Sequence, residues 1–177
     1  MDESGGQLLA ALRASGAVPA EAGLESVREP SGAVVIRLPE ARRRFDQVDR
    51  GTLRGVRLAP CGQFSLWYTL PRGRVPLAVL DPDDLAARVA EALRLAGRLR
   101  VINAGQVAVA AGIDPASLTT VGSVAELATQ ASAAFAGGGR LEYVHLQPDE
   151  AATIAALDNG AAEAARSVAR RLISAVS

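Results

Sequence analysis

The feature that most constrains the fold is a succession of three short strand-like runs between residues 52 and 80. The runs are TLRGVRL (52–58), QFSLWYTL (63–70) and RVPLAVL (74–80). They are separated by APCG and PRG, which consist largely of turn-forming residues. Connections this short join neighbouring antiparallel strands. We therefore predict an antiparallel β-meander across this part of the chain.

The only tryptophan of the chain lies in the second run. Strand alternation gives this run an apolar face, made of Phe64, Leu66, Tyr68 and Leu70. Trp67 falls on the opposite, polar face with Gln63, Ser65 and Thr69. Tryptophan and arginine are enriched in binding hot spots, so we predict a binding surface with these members: Trp67, Arg54, Arg57, Arg72 and Arg74. The alternative is that another segment of the chain covers Trp67 and makes a second core.

The remaining segments alternate between helical and strand patterns. Asp81 and Pro82 have the residue types of an N-cap and a first helical position. Helices are predicted over 7–14, 81–97, 123–136 and from Pro148 onward, and strands over 33–38 and 140–146. We expect an N-terminal helix and linker (1–32), followed by one α+β domain (33–177). In this fold class an antiparallel sheet of about five to seven strands carries packed helices, including a long C-terminal helix.

One segment, 98–113, supports two interpretations. Leu99 and Val101 alternate with arginines before Asn103 to Gln106, and two valines alternate with alanines after it, which favours a β-hairpin turning there. The stretch QVAVAAGIDPASLTTV (106–121) carries Val107-Ala108, Ala111-Gly112-Ile113 and Ser117-Leu118-Thr119. With these residues it resembles the helix-turn-helix of LacI-type repressors, which implies DNA binding. We predict the hairpin and keep the helix-turn-helix as the alternative.

The side chains that usually carry catalysis are scarce. The chain has no lysine, which excludes Schiff-base chemistry and phosphate-loop lysines. His145 is the only histidine and Cys61 the only cysteine, and neither has a partner set in the sequence for catalysis or metal binding. We therefore expect no catalytic residues, no metal and no cofactor, and predict that the protein is not an enzyme.

Charge is distributed unevenly, although the net charge is zero. Residues 28–74 contain ten arginines and four acidic residues, whereas residues 75–165 contain five arginines and eleven acidic residues. Such asymmetry suggests an anionic partner or self-association. We predict a cytoplasmic, soluble protein-interaction or regulatory domain that binds a protein partner or itself, and no membrane. The alternative partner is a nucleic acid.

Overall fold

The computed structural model describes residues 3–14, 18, 23–38, 51–72, 78–99, 105–114, 119–126, 143–148 and 151–176. The helices are α1 (Glu3–Ala14), α2 (Pro82–Leu99) and α3 (Ile154–Val176). The first five strands are β1 (Glu25–Arg28), β2 (Val34–Arg37), β3 (Leu53–Leu58), β4 (Phe64–Tyr68) and β5 (Ala78–Leu80). The other strands are β6 (Gln106–Ala108), β7 (Ala111–Ile113), β8 (Thr119–Val121), β9 (Val144–Leu146) and β10 (Ala151–Thr153).

The main sheet is antiparallel, with the strand order β1-β2-β3-β4. The predicted mixture of helix and strand, the antiparallel sheet and the long C-terminal helix are therefore confirmed. The predicted number of strands is wrong, because the described part of this sheet has four strands rather than five to seven. The other described strands form three small pairs, β5 with β8, β6 with β10 and β7 with β9.

The meander prediction holds for β3 and β4 but is wrong for its third strand. Of the predicted run 74–80, the described residues form only β5, which pairs in parallel with β8 instead of continuing the sheet. All three residues of β5 are buried. A strand that is apolar throughout suits a parallel pair because helices cover both faces of parallel strands, and α2 follows β5 directly.

The N-terminal helix packs against the inner face of the main sheet. Leu8 and Leu12 are fully buried in a cluster with Ile36 and Val56. Burial of this apolar stripe holds α1 in place. The segment 1–32, predicted as a helix and a linker, also contains a strand, since β1 pairs with β2 along its whole length.

The hairpin predicted over 98–113 does not form as expected. Helix α2 continues through Gly97 to Leu99, so the first two residues of the predicted hairpin are helical, and residues 100–104 lie outside the described residues. The second arm is a strand, but β6 pairs with β10 and β7 pairs with β9. The helix-turn-helix interpretation is also wrong for the described residues, because 106–108, 111–113 and 119–121 are strands. The strand pairing of this region is therefore with segments that are distant in the sequence.

Helices α2 and α3 pack against each other beside the strand pairs. Their contact is lined by small side chains, including Ala90, Ala161 and Ala165, which are nearly fully buried. Small residues allow two helices to approach closely, and α3 runs through Asn159 and Gly160 without a break. Of the predicted helix 123–136, the described residues show only a 3-10 turn, Val124–Glu126, and the rest lies outside them. No helix among the described residues combines the length and the apolar character needed to cross a membrane.

Candidate functional site

The candidate site is the face of the main sheet that points away from α1, which we call the outer face. The register of the four strands places two rows of residues on it. The first row is Glu25, Arg37, Gly55 and Trp67, and the second is Val27, Val35, Arg57 and Ser65. The residues between them along each strand belong to the inner face, and those of β2, β3 and β4 join the cluster with α1.

Trp67 lies over Gly55, its direct partner on the neighbouring strand. A Cβ atom at residue 55 would stand 2.5 Å from Cε2 and 2.7 Å from Cη2 of the indole, and closer still to Cζ2. A glycine in a strand leaves its neighbours room for close approach, and an aromatic ring on the adjacent strand covers it. Trp67 is nevertheless 38% exposed. The tryptophan is thus on the polar face because Gly55 provides the space for its ring there.

Two arginines share the outer face with Trp67. Arg57 lies opposite Ser65 and is therefore a diagonal neighbour of Trp67. Its Nε donates a hydrogen bond to Oε2 of Glu29 at 3.1 Å, which orients the guanidinium. Arg37 is exposed and lies on the other side of Gly55, in the same row as Trp67.

The structure places the other predicted site residues differently. Arg54 is half-buried at a β-bulge, where Leu53 pairs with Tyr68 and Gly55 pairs with Trp67. Because of this extra residue, Leu53 faces the core although it is an odd-numbered position like Gly55. Arg72 is half-buried and pairs with Ala78 in an isolated bridge, and its buried Nε has no hydrogen-bond partner among the described residues. Arg74 lies outside the described residues.

Sequence reasoning missed Arg37, Glu29 and Gly55 as parts of this surface. Their positions depend on the order and register of the strands, which alternation within one strand does not reveal. Gly55 did offer a signal, since a glycine inside a strand pattern indicates a bulge or a close approach of another group. In this sheet it indicates both.

Tyr68, the neighbour of Trp67 in β4, is on the inner face and contacts α2. The pKa of its phenol is raised to about 12, mainly by burial and also by the Glu91 carboxylate, while the Arg88 guanidinium opposes the shift. The Arg88 guanidinium lies 5.9 Å from the ring centroid and is held by the Asp84 carboxylate, with Nε 2.6 Å from Oδ2. The phenol therefore stays protonated near neutral pH, and Tyr68 contributes to packing.

Neither the single histidine nor the single cysteine belongs to the two rows of the outer face. Cys61 is exposed in the turn between β3 and β4. His145 is exposed on β9, stacks on Tyr143 at 5.9 Å, and lies within 3.3 Å of the Gln147 side chain through Nδ1. Among the described residues, no group of three or more His, Cys, Asp or Glu side chains could hold a metal ion.

A second surface feature is an open groove of about 520 Å³ between α3 and the end of β9. It is lined by Leu146, Ser167, Arg170, Arg171, Ser174 and Ala175. Arg171 donates a hydrogen bond to the carbonyl oxygen of Gln147, and Arg170 donates one to that of Arg166. These hydrogen bonds explain the positions of both arginines without a ligand.

Comparison with protein families, with curated proteins and with solved structures gave no match for this chain. Its function is therefore inferred from the arrangement of its own residues. The outer face offers a large exposed aromatic side chain with arginines beside it. The groove on α3 is also lined by arginines, but no aromatic side chain lines it.

Proposed function

We propose that this chain is a non-enzymatic protein-interaction or regulatory domain. Its binding surface is the outer face, and Trp67 is the anchor. The observation that carries this proposal is the position of the indole, which lies over Gly55 and remains 38% exposed beside Arg37 and Arg57.

The anchor is ordered before a partner arrives. The indole already packs on Gly55, so binding loses little side-chain freedom. A partner that covers the rest of the ring gains apolar contact area, and tryptophan contributes more of it than most side chains.

The charges of the surface favour a partner with acidic side chains. The guanidinium group forms two parallel hydrogen bonds with a carboxylate, which adds orientation to attraction. Arg37 and Arg57 lie next to the Gly55–Trp67 pair, while Glu25 and Glu29 lie toward the β1 side. We therefore expect the partner to place an apolar group on Trp67 and carboxylates near the two arginines.

The test compares Trp67→Ala with a matched control, Tyr143→Ala. Tyr143 is also an exposed aromatic residue, 59% exposed, and it precedes β9, away from the main sheet. We expect Trp67→Ala to reduce partner affinity by about 2 kcal/mol, roughly 30-fold. Its stability cost should stay below the roughly 3–5 kcal/mol of a fully buried aromatic residue, because the indole is partly exposed. Affinity capture from the source organism with quantitative mass spectrometry, beside a thermal melt, measures both effects.

Three results would contradict the proposal. The first is a set of captured proteins that is the same for the wild type and both variants. The second is a stability loss for Trp67→Ala as large as that of a buried aromatic residue. The third is binding to nucleic acid that depends on Trp67 and weakens steeply with salt, since this is the behaviour of a base-stacking surface.

A further inference from the structure

Strand β4 is an edge strand of the main sheet, with one side unpaired among the described residues. The Ala59 amide donates to the Gln63 carbonyl oxygen at 2.9 Å, which fixes which residues of β4 bond to β3. In an antiparallel ladder these pairs alternate, so Ser65 and Trp67 bond to β3. The backbone groups of Phe64, Leu66 and Tyr68 consequently point away from the sheet, and no strand among the described residues pairs with them.

The two edges of this sheet differ in how they are protected. Strand β1, at the other edge, carries Glu25 and Arg28, and all four of its residues are exposed. Charged residues on a short strand discourage pairing with another chain. Strand β4 reads FSLWY and has neither a charged residue nor a proline. Strand β4 therefore lacks the charged and proline residues that discourage an edge strand from pairing.

Leu66 is the central residue of β4, and an aromatic residue lies at each end of the strand. We propose that two copies of this chain pair antiparallel through β4, with the twofold axis at Leu66, to form one eight-stranded sheet. In this register Leu66 lies opposite Leu66 of the second copy, and Phe64 lies opposite Tyr68 of the second copy. Like Leu66, Phe64 and Tyr68 lie at the rim of the inner cluster, so the pairing extends the apolar core across the axis.

The pairing also doubles the outer face. Trp67 lies opposite Ser65 of the second copy, and the two tryptophans flank the axis on one continuous surface. This inference rests on the proposed function for the role of that surface, and it names a second copy as the first partner. A five-residue strand pair buries less area than the roughly 1,200–2,000 Å² of a standard interface. The dimer therefore dissociates on dilution.

Sedimentation velocity and amide hydrogen exchange on the wild-type chain, over a wide concentration range, test the pairing. We expect dimer formation with rising concentration and increasing protection of the Leu66 amide in parallel. The Ser26 amide is the control, because it points to the free edge beside β1 by the same alternation, and its exchange should not change. A chain that stays monomeric, or a dimer in which the Leu66 amide exchanges as fast as in the monomer, overturns the inference.

A matched pair of variants adds a second readout. Ser65→Asp places a carboxylate on β4, and Ser26→Asp places the same group on β1, the other edge strand of the sheet. We expect Ser65→Asp to weaken self-association at least about tenfold and Ser26→Asp to leave it unchanged. Equal association of both variants overturns the inference. A monomer that still captures a partner through Trp67 overturns only the pairing, whereas a dimer without Trp67-dependent capture overturns only the proposed binding of another protein.

Discussion

Gly55 is the residue on which the geometry of the outer face depends most directly. We expect Gly55→Val to destabilise the fold by roughly 1–3 kcal/mol, because a larger side chain must displace the indole from its position on β3. Trp67 is the only tryptophan, so its fluorescence reports the displacement without interference. The emission maximum should shift to longer wavelength as the ring becomes more hydrated, measured beside urea unfolding.

Gly23 provides the control at the same scale. A Cβ atom at residue 23 would meet nothing within 4 Å. We expect Gly23→Ala to leave both the emission maximum and the stability within about 0.5 kcal/mol of the wild type. An unchanged emission maximum for Gly55→Val would contradict the packing of Trp67 on Gly55.

At the scale of elements, Asp81 joins the start of α2 to the segment after β8. Its Oδ1 accepts hydrogen bonds from the amides of Asp83 and Asp84, at 2.9 and 3.2 Å. Its Oδ2 accepts a hydrogen bond from the amide of Val124 at 2.8 Å. The N-cap that the sequence predicted thus also has a long-range contact. An asparagine at this position would keep only one acceptor oxygen.

We expect Asp81→Asn to lower the free energy of unfolding by about 1–2 kcal/mol at neutral pH, because it weakens the helix cap and removes a charge-assisted hydrogen bond. Burial alone raises the pKa of Asp81, but the hydrogen bonds from Val124, Asp84, Asp83 and Ser123 outweigh it and lower the pKa below 3.8. A lowered pKa in the folded state stabilises the fold above the unfolded-state pKa, and this contribution is lost as pH falls through the folded-state pKa. The difference between wild type and Asp81→Asn should therefore narrow on acidification.

Urea unfolding between about pH 7 and about pH 3 measures this difference. Asp83→Asn is the control, since it removes the same charge from the same helical turn. The exposed Asp83 carboxylate accepts no hydrogen bond from the described residues, so this variant should change the stability by less than about 0.5 kcal/mol at neutral pH. A constant difference between wild type and Asp81→Asn at all pH values would contradict the role of the ionised carboxylate.

At the scale of the whole molecule, α1 belongs to the same core as the main sheet. Leu8 is fully buried in the cluster that includes Ile36 and Val56. We expect Leu8→Ala to cost roughly 2–5 kcal/mol, because it removes apolar contacts and leaves a cavity. Gln7 is exposed on the same helix, and Gln7→Ala should be close to neutral. Thermal melts of both variants measure these effects. A neutral Leu8→Ala would show that the predicted segment 1–32 is independent of the domain that follows.

The sequence by itself determined most of the local elements in the described residues. Asp81 and Pro82 marked the start of α2, and the alternation in 63–70 predicted both β4 and the outward position of Trp67. These features depend on a residue's own conformational preferences and on its neighbours within a few positions, which the sequence displays directly.

The tertiary structure alone decided how the elements pair and which side chains meet. Strand β5 pairs with β8 instead of continuing the meander, and β6 pairs with β10. Arg37 lies beside Gly55 because of the register between β2 and β3. Strand pairing of this kind joins residues that are far apart in the chain. Its free energy comes from side chains that are buried against other segments, and no single segment shows which segments these are. Trp67 was therefore visible in the sequence as an unusual residue, whereas its pairing with Gly55, which makes room for the indole, was visible only in the folded sheet.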